Sequence, residues 1–274
     1  MKLLKDLFNF YLDASIHVAL AVVSLAGVTT QMLNISSNLY LSGFIFCGTI
    51  VCYNFVKYGV EAEKYLIVSN TYQRNIQVLS FLSFLMAFYF LMHLKQEIWL
   101  ATAILVLIST LYAVPLLPNA KNLRSLGGFK IYIVALVWAG FTVLLPVLDA
   151  ELGFNNNVWF YTMQRFIFVL ILILPFEIRD MEWDAKSLRT LPQVLGVKKT
   201  RILGFLLIII FFAISFLKDD FTTKEILSNL VVSVILMGIF TAKAKMKHNY
   251  FASFWVEGIP VIWFCSNLIL NRMF

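Results

Sequence analysis

Four acidic residues stand close together in a segment that reads Pro-Phe-Glu-Ile-Arg-Asp-Met-Glu-Trp-Asp, residues 175–184, and three of them share a spacing. On an α-helix, Glu177, Asp180 and Asp184 would fall within about 60° of one another. Carboxylates on one stripe repel each other unless a cation lies between them, and Mg²⁺ prefers such oxygen ligands together with substrate phosphate. The spacing therefore fits a magnesium–phosphate site. It fits equally a solvated helix end whose acids pair with Arg179 and other basic residues.

The composition places this segment in a membrane protein. Hydrophobic residues make up 61% of the 274 residues and charged residues 14%, and the mean hydropathy is +0.84. Soluble domains carry roughly 45–50% apolar and about 25% charged residues. The chain is therefore predicted to be an all-α integral membrane protein, not a soluble enzyme or a nucleic-acid-binding protein. The three cysteines lie in apolar runs without a CxxC pair, so neither a disulfide framework nor a thiolate metal site is indicated.

Apolar stretches of membrane-spanning length predict a bundle of nine transmembrane helices in one domain, residues 1–274. These runs do not alternate in hydrophobicity, which excludes a β-barrel. Residues 1–12 place apolar side chains on one face and are predicted to form an interfacial helix. The nine spans are predicted at about 15–33, 38–57, 76–94, 97–118, 130–148, 158–178, 201–217, 225–242 and 250–270.

The distribution of Lys and Arg orients this bundle. The N-terminal segment and the loops after the even-numbered spans hold 17 basic residues, whereas the opposite loops hold four. Cytoplasmic loops carry the excess of positive charge. We therefore expect a cytoplasmic N-terminus, an external C-terminus and an acidic cluster at the cytoplasmic end of the sixth span. The net charge of +7 reflects this topology and does not indicate nucleic acid as a partner.

The acidic segment runs into Ser-Leu-Arg-Thr-Leu-Pro-Gln-Val-Leu-Gly, residues 187–196. Together the two segments resemble the second aspartate-rich motif of the UbiA-type intramembrane prenyltransferases. In that family D-x-R-D-x-x-x-D is followed by T-L-P and a glycine before the next helix. The nine spans, the cytoplasmic N-terminus and the Leu-Tyr-Ala-Val-Pro-Leu segment at 111–116 are also similar to the family.

The resemblance implies a transferase that ionises an isoprenyl diphosphate held by Mg²⁺ at the cytoplasmic side. The prenyl group would pass to a lipophilic or aromatic acceptor in a cavity open to lipid. Asp180 and Asp184 would be Mg²⁺–diphosphate ligands, and Glu177 stands where the family more often has Asp. The expected partners are the isoprenyl diphosphate, the hydrophobic acceptor and the bilayer, with no obligate protein partner evident.

The first motif of the family, N-D-x-x-D-x-x-x-D, departs from its usual form here. Asn54 matches, but the aspartate positions hold Phe55, Tyr58 and Ala62. If the helix continues, one face carries Asn54, Lys57, Tyr58 and Glu61. Lys57 would then offset diphosphate charge in place of one Mg²⁺. This hypothesis is a one-metal or cation-substituted site; the alternatives are a catalytically silent protein that binds an isoprenoid or lipid, and, third, a transporter.

The remaining candidate substrate-binding residues are Tyr112, Lys121, Arg124, Lys130, Arg179 and Glu257. The three basic residues of the loop after the fourth span would approach the diphosphate, or else serve only as topology charges near anionic lipid. Glu257 lies about 10 Å along the ninth span at 1.5 Å per residue. That depth would bring it near the acidic cluster, or into a structural pair. Arg165, inside the sixth span, is expected to make a structural contact.

Overall fold

A computed structural model of the protein describes residues 2–59, 70–113, 128, 130–184, 186–219, 222–242 and 250–273. Across these ranges the chain forms helices and short turns, without a strand. The helices are α1 Lys2–Asp13, α2 Ile16–Met32, α3 Leu39–Asn54, α4 Thr71–Met92, α5 Gln96–Ala113, α6 Lys130–Asp149, α7 Asn156–Asp180, α8 Leu191–Ile214, α9 Thr223–Thr241 and α10 Phe251–Met273.

Six of these helices (α3, α4, α6, α7, α9 and α10) are long and apolar enough to cross a membrane. The number becomes seven if the bent pair α1–α2 is one span. The all-helical membrane fold is therefore confirmed, whereas the count of nine spans stays a prediction. Among the charged residues of α8 are Lys198, Lys199 and Arg201, which break its apolar run near the start.

Helix α7 lies at the centre of the bundle, where it packs against α6 and α8. In its most apolar stretch 67% of the residues are buried, compared with 22% in α4. Phe168 of α7 contacts Phe211 of α8 and Trp263 of α10, with ring centroids 5.6 and 4.7 Å apart. All three rings are almost fully buried. This aromatic contact fixes α7 against two neighbours.

Helices α1 and α2 meet at an angle of 54°. Ser15 forms the bend with a φ of 62°, in the left-handed region that side chains other than glycine rarely adopt. The Ser15 hydroxyl donates to Asn54 Oδ1 at 2.8 Å, which ties the bend to the end of α3. Leu3, Leu4 and Leu7 of α1 are exposed. The bend therefore separates an amphipathic segment from the apolar helix that follows.

Glycine allows α8 and α9 to approach closely. A Cβ at Gly204 would overlap the ring of Phe240, which is fully buried. Gly238 of α9, by contrast, has no atom within 4 Å of a Cβ built on it. Small residues permit such close helix contacts in membrane proteins.

We predict opposite effects when these two glycines are replaced. Gly204→Ala should lower stability by about 1–3 kcal/mol because Phe240 must move within a packed interface. Gly238→Ala should raise it by up to about 1 kcal/mol, since alanine is the better helix former. Unfolding midpoints of both variants in the same detergent measure the difference. Equal midpoints would contradict the packing assigned to α8 and α9.

Candidate active site at the carboxyl end of α7

The end of α7 and the start of α8 together position the acidic cluster. Glu177 and Asp180 lie in the last turn of α7, and the Asp184 amide donates to the Asp180 carbonyl at 2.8 Å. The Gln193 side chain donates to the Asp184 carbonyl at 2.9 Å and accepts from the Thr190 amide at 3.1 Å. The segment after Asp184 therefore holds this residue at a fixed place beside the helix end.

Lys130 joins two of the three carboxylates. Its Nζ lies 2.6 Å from Glu177 Oε1 and 3.2 Å from Asp184 Oδ2. The three side chains are 15%, 5% and 23% exposed, respectively. Lys130 is the first residue of α6 and is 54 positions from Asp184. The fold thus brings a predicted basic residue directly onto the predicted acidic stripe.

Asp180 has a different partner. Arg179 donates from Nε and Nη2 to the two oxygens of the Asp180 carboxylate, at 2.6 and 3.0 Å. The Arg179 guanidinium also lies 5.0 Å from the centre of the Phe176 ring. The predicted stripe of three acids is therefore divided between two cations. Lys130 of α6 reaches Glu177 and Asp184, whereas Asp180 pairs with Arg179, its neighbour along the chain.

The end of α3 forms a second wall of the site. After Asn54 the backbone continues as a π-helical turn, Phe55–Gly59, and not as the expected regular α-helix. Lys57 Nζ donates to the Leu12 carbonyl at 3.3 Å, and the Tyr58 hydroxyl donates to the Asp13 carbonyl at 3.1 Å. Both side chains therefore reach toward the α1–α2 bend. π-Helical turns occur frequently at functional sites.

Glu257 connects the two walls. It follows the π-helical turn Phe251–Val256 that begins α10, and it is partly buried. Its carboxylate interacts electrostatically with Lys57, in the turn after α3, and with Arg179 of α7. Arg179 is also the partner of Asp180, and a substrate-binding role for Glu257 stays a prediction. Of the other candidates, Glu61, Lys121, Arg124 and the Tyr112 side chain lie outside the described residues.

The arrangement of helices matches known structures, although no family model and no curated protein matches the sequence. A UbiA homolog from Aeropyrum pernix K1, solved without ligand, superimposes with a TM-score of 0.70 at 12% identity, over 94% of this chain and 98% of that one. The chain has the UbiA fold. A digeranylgeranylglyceryl phosphate synthase superimposes with a TM-score of 0.58 at 13% identity, over 98% of this chain and 100% of that one. A UbiA homolog from Archaeoglobus fulgidus bound to GPP and Mg²⁺ gives 0.56 at 11%, over 96% and 99%. The resemblance noted from the sequence is therefore confirmed in the fold.

The UbiA fold raises the question of whether these residues suit Mg²⁺. Within the part of the chain that is described, no three Asp, Glu, His or Cys side chains converge on one point. Glu177 Oε2, however, is buried and has no hydrogen-bond partner. Mg²⁺ is commonly held by one or two carboxylates together with substrate phosphates. Glu177 and Asp184 fit that ligand set, with phosphate and water as the remaining ligands.

An apolar cavity of about 340 Å³ lies among α3, α4, α5 and α6. The Trp138 indole donates to the Tyr53 hydroxyl at 3.0 Å across its lining. Phe55, at a position where the first family motif has aspartate, also lines this cavity. No residue of this lining was predicted from the sequence, because the lining comes mainly from four helices, with Val22 of α2 added, and no local pattern marks it. The abundance of aromatic residues was the one available signal.

Asn54, predicted to bind substrate, is fully buried and bonded within the protein. Its Nδ2 donates to the Ala14 carbonyl at 3.2 Å and to Ser80 Oγ at 2.9 Å, and its Oδ1 accepts from Ser15. Asn54 thereby joins α3 and α4 to the α1–α2 bend. These bonds hold the second wall in place, and they leave the buried Asn54 side chain closed to a ligand.

We expect Asn54→Ala to destabilise the protein by about 2–4 kcal/mol, because three buried polar partners lose their bonds. Thr241→Ala is the matched control. Thr241 is exposed at the end of α9 and bonds only within its own helix, to the Gly238 carbonyl. The control should stay within about 0.5 kcal/mol of the parent. Thermal unfolding in detergent compares them, and a parent-like midpoint for Asn54→Ala would contradict the bonding described.

Proposed function

We propose that this chain is a membrane prenyltransferase that transfers an isoprenyl group from an isoprenyl diphosphate to a lipophilic or aromatic acceptor, with Mg²⁺. The observation that carries the proposal is the Glu177–Lys130–Asp184 cluster in a UbiA fold, on the same bundle as an apolar cavity. One structure of similar fold is described as bound to GPP and Mg²⁺. A charged site and an apolar cavity on one bundle suit a ligand with a diphosphate head and a hydrocarbon tail.

The diphosphate head would lie between the end of α7 and the end of α3. Glu177 and Asp184 would hold Mg²⁺, with Asp180 as the third acid of the motif. When bound, Mg²⁺ supplies positive charge that stabilises the diphosphate as it leaves the prenyl group. Lys57 and Arg179 would add positive charge beside this position, and both interact electrostatically with Glu257.

The proposed topology assigns each helix a place in the membrane. Helices α2–α10 would be the nine spans of one transmembrane domain, and α1 would lie at the interface. The 17-to-4 distribution of basic residues supports a cytoplasmic N-terminus and an external C-terminus. The carboxyl end of α7 would then face the cytoplasm, where soluble isoprenyl diphosphates are available.

A catalytically silent protein that binds an isoprenoid or lipid is the second candidate. The observation that favours it is Phe55, which gives an apolar lining where the family motif has aspartate. Such a protein would keep the cavity and lose the chemistry.

Diphosphate release separates these two functions. The protein in lipid nanodiscs is supplied with Mg²⁺, geranyl or geranylgeranyl diphosphate, and a membrane lipid extract as acceptor. Release should require Mg²⁺ and fall at least about a hundredfold in Asp180→Ala/Asp184→Ala, because the leaving charge is no longer stabilised. Asp219→Ala, in an exposed turn at the other end of the bundle, is the control and should leave release unchanged.

Two outcomes would contradict the proposal. Tight binding of the prenyl diphosphate without release would indicate the silent binding protein. The absence of both binding and release would mean that the chain has the UbiA fold without prenyltransferase chemistry.

Filling the apolar cavity tests whether it holds the prenyl chain. Gly48 lines the cavity, and a Cβ built there meets no atom within 4 Å, so the side chain of Gly48→Leu starts in open space and adds volume to the lining. Geranylgeranyl diphosphate should lose at least about tenfold in affinity, and geranyl diphosphate less, because only the longer chain needs the filled space. Gly238→Leu, also in open space, is the control. Equal losses for both chain lengths would exclude the cavity as the chain-binding site.

A further inference from the structure

The cation between Glu177 and Asp184 is supplied by the chain itself. The Lys130 ammonium lies 2.6 Å from Glu177 and 3.2 Å from Asp184. Lys130 and Glu177 are mostly buried, and Asp184 is about three-quarters buried, so bulk water screens the three charges weakly. Two carboxylates and one ammonium leave a net charge of −1. The lysine therefore only partly neutralises the pair.

One oxygen of this cluster has no partner. Glu177 Oε2 is buried without a hydrogen bond, while Glu177 Oε1 receives the Lys130 ammonium. Leaving a buried acceptor unpaired costs about 1–3 kcal/mol, and more for a charged group. Asp180 is already occupied by Arg179. The unpaired oxygen is thus an independent sign that a second positive group belongs at Glu177.

The position of Lys130 in α6 makes it a poor permanent occupant. It is the first residue of a 20-residue helix, where the helix dipole places positive charge. A cation is disfavoured there, whereas phosphate oxygens are favoured by the free backbone amides. The lysine side chain has a flexible four-carbon stem and three rotatable donors. It can therefore turn from the carboxylates toward a phosphate near the same helix end.

We propose that Lys130 is an exchangeable internal cation that makes metal binding depend on diphosphate. In the substrate-free protein Lys130 holds Glu177 and Asp184 and excludes a divalent ion. When the metal and a diphosphate bind together, Lys130 leaves the carboxylates and its ammonium donates to a diphosphate oxygen. Glu177 and Asp184 then become metal ligands, and Glu177 Oε2 gains its missing partner. This inference rests on the proposed function of the site.

The exchange neutralises the carboxylate pair more fully than the lysine alone does. With Lys130 in place, the carboxylate pair carries −1; with a divalent ion it carries zero. The displaced ammonium adds one positive charge to the binding of a highly negative diphosphate. A divalent ion alone would strand the lysine next to it, and like charges at such distances repel. Free metal should therefore bind weakly until a diphosphate arrives.

Mn²⁺ binding tests this inference without any prenyl substrate. The parent and Lys130→Met, each in nanodiscs of neutral lipid, are titrated with Mn²⁺, and electron paramagnetic resonance measures the free Mn²⁺ at each step. The parent should bind Mn²⁺ weakly, and its affinity should rise at least about tenfold when inorganic diphosphate is added, after correction for the Mn²⁺ that diphosphate binds without protein. Lys130→Met should bind Mn²⁺ at least about tenfold more tightly than the parent without diphosphate, and should gain less from diphosphate.

Three further variants locate the effect. Lys95→Met removes a lysine that pairs with Glu151 at 2.6 Å in an exposed turn outside this site, and it should behave like the parent. Lys130→Arg keeps a cation on the carboxylates and should bind Mn²⁺ no more tightly than the parent. Adding Glu177→Gln to Lys130→Met should abolish the gain. The melting temperature of Lys130→Met should rise with Mn²⁺, which reports a folded site.

Unchanged or weaker Mn²⁺ affinity in Lys130→Met would overturn the exchange, as would tight Mn²⁺ binding by the parent without diphosphate. If the parent releases diphosphate with Mg²⁺ in either case, the proposed function stands and only the role of Lys130 falls. Absence of both release and Mn²⁺ binding in every variant would overturn the two together.

Discussion

Charge held inside a membrane bundle must be neutralised by partners in the same bundle, and this constraint organises the structure around α7. An isolated charge in such a medium is costly, whereas a paired and hydrogen-bonded one is tolerated. At one end of α7, Lys130 and Arg179 divide three carboxylates between them. Near the other end, the buried Lys218 bonds to Gln164 and Glu225 and lies 3.4 Å from the centre of the Tyr161 ring. Burial lowers the pKa of Lys218 to about 8, although the neighbouring Glu225 carboxylate acts to raise it.

The middle of α7 is also bonded to neighbouring helices, through Arg165. Arg165 is 3% exposed and donates to the Leu25 carbonyl at 2.8 Å and to Thr29 Oγ1 at 3.1 Å. Its guanidinium also lies 5.0 Å from the centre of the Trp263 ring. These contacts bind α7 to α2 and α10, in agreement with the structural role expected for Arg165. The acids at the carboxyl end of α7 therefore lie on a helix that is held at both ends and in its middle.

The altered first motif acquires a physical meaning from its surroundings. Asn54 keeps the residue type of the motif, and its amide joins the α1–α2 bend to α3 and α4. The next residue, Phe55, lines the apolar cavity, and an apolar environment disfavours a carboxylate. Lys57 instead interacts with the Glu257 carboxylate across the site. The two walls thus hold different charges from those of a symmetrical pair of aspartate-rich motifs, and the proposed chemistry depends mainly on the α7 side.

The amino-acid sequence by itself determined the membrane character, the helical class and the acidic segment with its Thr-Leu-Pro continuation. These follow from hydropathy and short-range spacing, which neighbouring residues along the chain fix without reference to the rest of the fold. Only the tertiary structure decided which cation each acid meets. Lys130 reaches Asp184 across 54 positions, and the Asp180 carboxylate pairs with Arg179 and not with Lys130. The buried bonding of Asn54 and the position of the apolar cavity were likewise decided by the tertiary structure, since both depend on contacts between helices that no local pattern records.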